Sequence, residues 1–157
     1  MNQDNQKWVT ESDQATIEHI LSRFHDVHRQ QLDEIMALAQ SDAVVDKLPN
    51  GLIPLLQHIH MDLLNHMMKE EQVLFPMILA GAGARASMPI TVMKHEHADH
   101  ESALTQLDEL THHFTVSDSS CTELKNLYQL LATFSQDLKQ HIDLENNVLF
   151  ERTLNKH

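Results

Sequence analysis

Two stretches of this 157-residue chain repeat one pattern, HMMKEEQVLF at residues 66–75 and HIDLENNVLF at 141–150, an offset of 75. Each opens with His, carries Glu four positions later and closes on Val-Leu-Phe. A second pair accompanies them, since FHDVHRQQL (24–32) aligns with EHADHESAL (96–104) at an offset of 72. That alignment sets His25 over His97, His28 over His100 and Leu32 over Leu104. A near-constant offset over two separate segments predicts two copies of one helical hairpin, packed about a pseudo-two-fold axis. Anything lying on that axis is then built from matching halves.

The rest of the chain fits such a plan. Apolar residues recur near the helical period, as Ile17, Ile20, Leu21, Phe24, Leu32, Ile35 and Leu38 do in the first segment. Helices are expected at about 12–40, 52–79, 88–113 and 120–153, separated by DKLPNG, AGAGARASMP and TVSDSS. TESD and SCTE have the shape of N-terminal capping boxes. Pro54 is tolerated in a first turn, whereas Pro76 should kink or end the second helix. The expected fold class is all-α, an antiparallel up-down-up-down four-helix bundle. Residues 1–157 read as a single domain with 1–11 as a polar lead-in.

Helices rise ~1.5 Å per residue, which allows heights to be compared. His25 stands roughly 15 residues before the end of the first helix and His66 roughly 14 after the start of the second. Glu70 and His97 likewise stand roughly 9 residues from the facing ends of the second and third helices. The match between the third and fourth is poorer, by about four residues or ~6 Å. Positions i and i+4 share a helix face, so His66 with Glu70 and His141 with Glu145 point inward together. Four His and two Glu thus meet at mid-height: His25, His66, Glu70, His97, His141 and Glu145. Burying them without metal costs many kcal/mol. A pair of cations removes that cost if both Glu bridge and the His supply two nitrogens to each ion. Imidazole with carboxylate suits iron, manganese or zinc. Four protein ligands per ion leave room for a solvent-derived oxo or hydroxo bridge.

Charge narrows the function. Eleven basic against 23 acidic residues give −12 with His neutral, which disfavours nucleic acid, whose phosphates need clustered Lys and Arg. No apolar run is long enough to span a membrane, and the polar start MNQDNQKWVT does not read as a secretory signal. The one cysteine, Cys121, cannot form an internal disulfide, so the cytoplasm is the expected compartment. The 13 His are scattered through periodic segments, which excludes a tag and points to metal.

Taken together, RFHDVHRQQL, HMMKEEQVLFPMI, VMKHEH and HIDLENNVLF resemble the hemerythrin-like domain, a four-helix bundle around a non-haem di-iron centre. The closer likeness is to the di-iron iron–sulfur cluster repair proteins, and it runs from Trp8 to Phe150. By motif it implies two non-haem irons per chain with an oxo or hydroxo bridge. The implied ligands are His25, His66, Glu70, His97, His141 and Glu145, with Glu70 and Glu145 bridging. The resemblance also implies repair of iron–sulfur clusters damaged by nitric oxide or oxidants, by an iron-donating protein rather than a conventional enzyme. Its partners would be damaged or apo iron–sulfur proteins and small ligands such as NO or O2, and a homodimer is compatible with it. Full-length members add a small N-terminal domain with an adjacent cysteine pair, to which nothing here corresponds, so chemistry through those cysteines is not expected. Oxygen-carrying hemerythrins use a fifth His, which has no counterpart here and disfavours simple O2 storage.

His28 and His100, three residues past a ligand, are expected to hydrogen-bond behind the ligands or to sit at the bundle edge. His58, His60, His95, His112 and His113 are expected at the surface, Glu71 in solvent, and Met67, Met68, Met77 and Met93 in core gaps. Two other functions fit the residues. One is a hemerythrin-like sensor or store of O2, NO or iron without repair; the other is a metal-free bundle whose histidines respond to pH.

Overall fold

The computed structural model describes residues 3–156. Four long helices dominate it. α1 spans 13–39, as Asp13–His19, a π-helical turn at Ile20–His25, and Asp26–Ala39. α2 spans 52–79, as Leu52–Lys69, a π turn at Glu70–Leu74, and Phe75–Leu79. α3 is the unbroken Ser87–Leu110. α4 spans 122–154, as Thr122–Leu144, a π turn at Glu145–Leu149, and Phe150–Leu154. Among the described residues there is no strand, and no helix is long and apolar enough to cross a membrane.

Two apolar clusters with a polar layer between them set the topology. The first cluster holds Leu32, Ile35, Leu56, Leu63, Leu104, Leu131 and Phe134 among others; the second holds Ile20, Phe24, Phe75, Ile90, Leu149 and Phe150. Along α1 and α3 the chain meets the second cluster and then the first; along α2 and α4 the order reverses. Successive helices therefore run antiparallel, and the bundle is up-down-up-down. Each buried Leu, Ile or Phe contributes about 1.5–3 kcal/mol, which is what offsets the polar layer.

Helix ends depart from expectation where side chains decide them. Ser12, not Thr10, caps α1, its Oγ accepting from the Ala15 N–H at 3.0 Å. Cys121 stands at the N-cap of α4 and its side chain makes no capping bond, so SCTE is not a capping box. α3 stops at Leu110 because His112, His113 and Phe114 all take positive φ, at 50°, 61° and 59°. Gly51 opens α2 at φ 90°, a conformation rather than a close contact that requires glycine. α2 does not end at Pro76. The proline falls in the first turn of Phe75–Leu79, just after the π turn, where a missing N–H costs little.

The lead-in is not free of the bundle. Gln3–Thr10 forms a 3-10 helix whose Asn5 is fully buried, donating to Gln140 O at 3.0 Å and Asp143 Oδ2 at 2.9 Å. Trp8 stacks on His19, and Arg152 of α4 donates to the carbonyls of Trp8 and Val9 and to Asp13.

Candidate metal centre

The six residues singled out by the repeat converge in the polar layer, every one at most 1% exposed. They form two groups, His25–Glu70–His141–Glu145 and His66–Glu70–His97–Glu145, each with one ligand atom per residue inside 4.8 Å of the others. Both carboxylates belong to both groups. The histidine pairs cross between hairpins, His25 of α1 with His141 of α4 and His66 of α2 with His97 of α3. Exchanging the two hairpins swaps the groups, as a two-fold site requires. Glu70 Oε1 lies 3.1 Å from His25 Nε2 and 3.4 Å from His66 Nε2; Glu145 lies 2.9 Å from both His141 Nε2 and His97 Nε2.

Every imidazole turns Nε2 inward because its other nitrogen is engaged. His25 Nδ1–H donates to Glu71 at 2.7 Å, His66 Nδ1–H to Glu96 at 3.0 Å, and His97 Nδ1–H to Asn146 at 2.7 Å. His141 Nδ1 meets His28 Nε2 at 3.1 Å. Such partners fix the tautomer and aim the ring. Glu71 is thus not a solvated bystander. Its side chain is only 28% exposed and also accepts from Arg29 at 2.9 Å. Glu71, Glu96 and Asn146 escaped sequence reasoning although each adjoins one candidate ligand in the chain: the signals were EE, EH and EN.

The Val-Leu-Phe repeat now has a physical reading. Phe75 lies over His25 with ring centroids 5.7 Å apart, and Phe150 lies over His97 at 5.9 Å and 5° from parallel. In each, the π turn brings the phenylalanine N–H to the carbonyl of the glutamate five residues before it. That extra residue per turn lets Leu74 and Phe75, like Leu149 and Phe150, both face inward. π turns are rare and gather at functional sites.

The donor set fits a pair of cations. Glu70 Oε2 and Glu145 Oε1 are buried without a hydrogen-bond partner, an expensive condition unless something positive lies against them. The protein alone compensates with protons. Burial pulls His25 and His66 down, but the surrounding carboxylates outweigh it, raising His25 well above its ordinary value and His66 to about 9. Burial pushes Glu145 up, yet His141 and neighbouring hydrogen bonds hold its carboxyl well below the usual range. Imidazole and carboxylate at this ratio suit borderline metals such as iron, manganese or zinc.

Residues 16–153 match the model of the hemerythrin HHE cation-binding domain. The chain is 47% identical over 142 residues to the iron-sulfur cluster repair protein DnrN of Neisseria gonorrhoeae, covering 89% of this chain and 90% of that one. It is 47% identical over 151 residues to the iron-sulfur cluster repair protein YtfE of Dickeya chrysanthemi, covering 94% and 68%. A probable iron-sulfur cluster repair protein of Haemophilus influenzae is 42% identical, with 98% and 70% covered. The chain belongs to the iron–sulfur cluster repair family of hemerythrin-like proteins.

In this hemerythrin-like bundle the other described histidines fall into three sets, with His19, stacked on Trp8, standing apart at the N-terminal 3-10 helix. His58, His95, His112 and His113 are exposed and His60 half-buried, and none of them belongs to either ligand group. His28 backs His141. Its repeat mate His100, 7% exposed, backs nothing: Glu96 already holds His66, and His100 Nδ1 is buried without a partner. Burial, then the neighbouring His66, His97 and His141, push its pKa down to about 3. The halves differ because Glu96 stands where the alignment puts Phe24, which instead stacks on His141 at 5.2 Å. Beside His66 a polar cavity of about 250 Å³ opens to solvent, lined by Asp62, Asn65, Lys69, Glu96, Asp99 and His100. Met67 and Met93 fill the core, Met77 packs at its edge, and Met68 is 44% exposed rather than a gap filler.

Proposed function

We propose that this chain repairs iron–sulfur clusters damaged by nitrosative or oxidative stress, working in the cytoplasm on damaged or apo iron–sulfur proteins. Its centre would be His25 and His141 at one position, His66 and His97 at the other, with Glu70 and Glu145 common to both. The observation that carries this is the sharing of both buried carboxylates between two histidine pairs whose Nε2 atoms all face inward. The repair names of relatives at 42–47% identity support the role. Two non-haem irons held there would supply redox chemistry toward NO or O2 and a ferrous ion that could be handed on.

The chain's own part is to make release tolerable. With no cation held there, His25 and His66 would carry protons at Nε2, which their raised affinity favours and which would offset the charge of Glu70 and Glu145. Glu96, 25% exposed and paired with Lys69, joins His66 to the polar cavity and so to solvent. Phe75, Phe150 and Phe24 cover the imidazole faces and keep the apolar side of the layer dry.

The test is incubation of the iron-loaded protein with an apo iron–sulfur protein, following cluster formation and iron on both chains. Loss of iron from this chain matched by clusters on the acceptor supports repair. Reversible NO or O2 binding with all iron retained identifies the sensor or store instead. Stability indifferent to chelation would point to the metal-free, pH-responsive bundle.

A further inference from the structure

We propose that Gln31 and Asp137 are positioning residues that set which nitrogen of His141 faces the centre, an inference that rests on the six-residue site proposed above. Four hydrogen bonds in series zigzag between α1 and α4. Arg23 donates to Asp137 Oδ1 at 3.1 Å, and Gln31 Nε2 donates to Asp137 Oδ2 at 2.9 Å. Gln31 Oε1 faces His28 Nδ1 at 3.1 Å, and His28 Nε2 faces His141 Nδ1 at 3.1 Å.

Donor and acceptor inventory gives the series one direction. A carboxylate only accepts, so Asp137 obliges Gln31 to present its amide nitrogen, which turns the amide oxygen toward His28. That oxygen only accepts, so His28 carries its proton on Nδ1 and leaves Nε2 bare. His141 then donates through Nδ1 and turns a bare Nε2 inward, against the pull of Glu145 Oε2, which lies 2.9 Å from that nitrogen and is satisfied only when a cation stands between them. His25 and His66 are backed by carboxylates, which admit no other polarity. His141 is backed by an imidazole, which donates or accepts according to its tautomer, so its aim is settled three residues away. Asp137 is 9% exposed and four residues before His141 on the same helix, so the far end of the series is held rigidly.

An isosteric change reverses the series without altering its shape. In Asp137→Asn, Arg23 keeps the side-chain oxygen and the new NH2 faces Gln31. Gln31 flips, donates to His28 Nδ1, and His28 Nε2–H now points at His141 Nδ1. His141 is left protonated at Nε2, the nitrogen the centre needs.

The experiment reads two quantities on the full chain. The His141 tautomer is read by long-range proton–nitrogen NMR of the metal-free protein, and zinc binding by chelator competition. The expected result for Asp137→Asn is a switched tautomer and about 10–100-fold weaker binding of one zinc of two. Adding Arg23→Met frees the asparagine oxygen to turn to Gln31 and restores both readings, which a merely structural role would not do. Gln31→Met, at a half-buried position, removes the same acceptor and stands in should Asp137→Asn not fold. A wild-type His141 already protonated at Nε2 by the pull of Glu145, or an unchanged tautomer and zinc affinity in Asp137→Asn, overturns the proposal. A wild-type chain that holds no zinc or iron overturns the site reading instead, and the tautomer alone then decides the role of Asp137.

Discussion

The Nε2 atoms of His66 and His97 face each other 3.1 Å apart, while their outer nitrogens are held by Glu96 and Asn146. Two imidazoles so constrained aim lone pairs at one another unless a proton or a cation lies between them. His25 and His141 also approach each other, with ring centroids 5.0 Å apart, and share Glu70 and Glu145 between them. Proton or cation is the alternative on which the behaviour of the molecule turns.

The pH dependence of stability follows from it. His66 rises from 6.5 to about 9 in the folded metal-free chain, and His25 rises well above 6.5. A raised value stabilises the fold fully below the unfolded pKa, and that contribution is lost as pH climbs through the folded one. The melting temperature of metal-free protein is therefore expected to fall between pH 6.5 and about 9. Glu145 acts oppositely: its stabilisation is present above its ordinary 4.5 and is lost as pH drops below that. Iron- or zinc-loaded protein should show a flatter alkaline limb, because its Nε2 atoms carry no proton to lose. Thermal melts of both forms across pH 4–10 check this.

Glu71→Gln and Glu96→Gln should each weaken metal retention by about 10–100-fold while the fold survives. Each replaces a carboxylate behind an imidazole, at His25 or at His66. Chelator competition, with circular dichroism as the control for folding, separates this from unfolding.

Phe150→Ala should cost about 3–5 kcal/mol in urea unfolding, as a fully buried ring is removed from a packed cluster. Because that ring covers His97, the metal position of His66 and His97 should be the one to loosen. Equal loss at both positions would mean that Phe150 supports only the bundle.

Asn5→Ala should cost about 1–3 kcal/mol with metal content unchanged. Asn5 ties the N-terminal 3-10 helix to Gln140 and Asp143 of α4, on either side of His141 in the chain, its amide donating to neither His141 nor Glu145. Urea melts against metal analysis separate the two effects.

Much of this was legible because the repeat states it twice. H-x3-E on one helix face, doubled at an offset of 75, supplied four polar residues; the second repeated pair, offset by 72, added His25 and His97 at about the same height, and the apolar period supplied the bundle around them. Other features were hidden because they depend on groups brought together from different helices. Glu71 reads as a solvated neighbour of Glu70 until α1 packs beside it. π turns leave no mark in a 3.6-residue period except as adjacent buried pairs such as Leu74–Phe75. Pro76 signals a break that the preceding π turn and a first-turn position absorb. Asn5 and Trp8 belong to a polar segment whose docking depends on α4 and the start of α1.

Iron per chain, measured with the optical spectrum on untagged wild-type, His97→Ala and Glu70→Ala proteins after anaerobic loading, tests the shared-carboxylate centre most directly. Two irons with near-ultraviolet charge-transfer bands are expected in the wild type, about one in His97→Ala, and loss of both iron and bands in Glu70→Ala. A Glu70→Ala protein that keeps both irons, or a wild type that binds none, would contradict the shared-carboxylate centre.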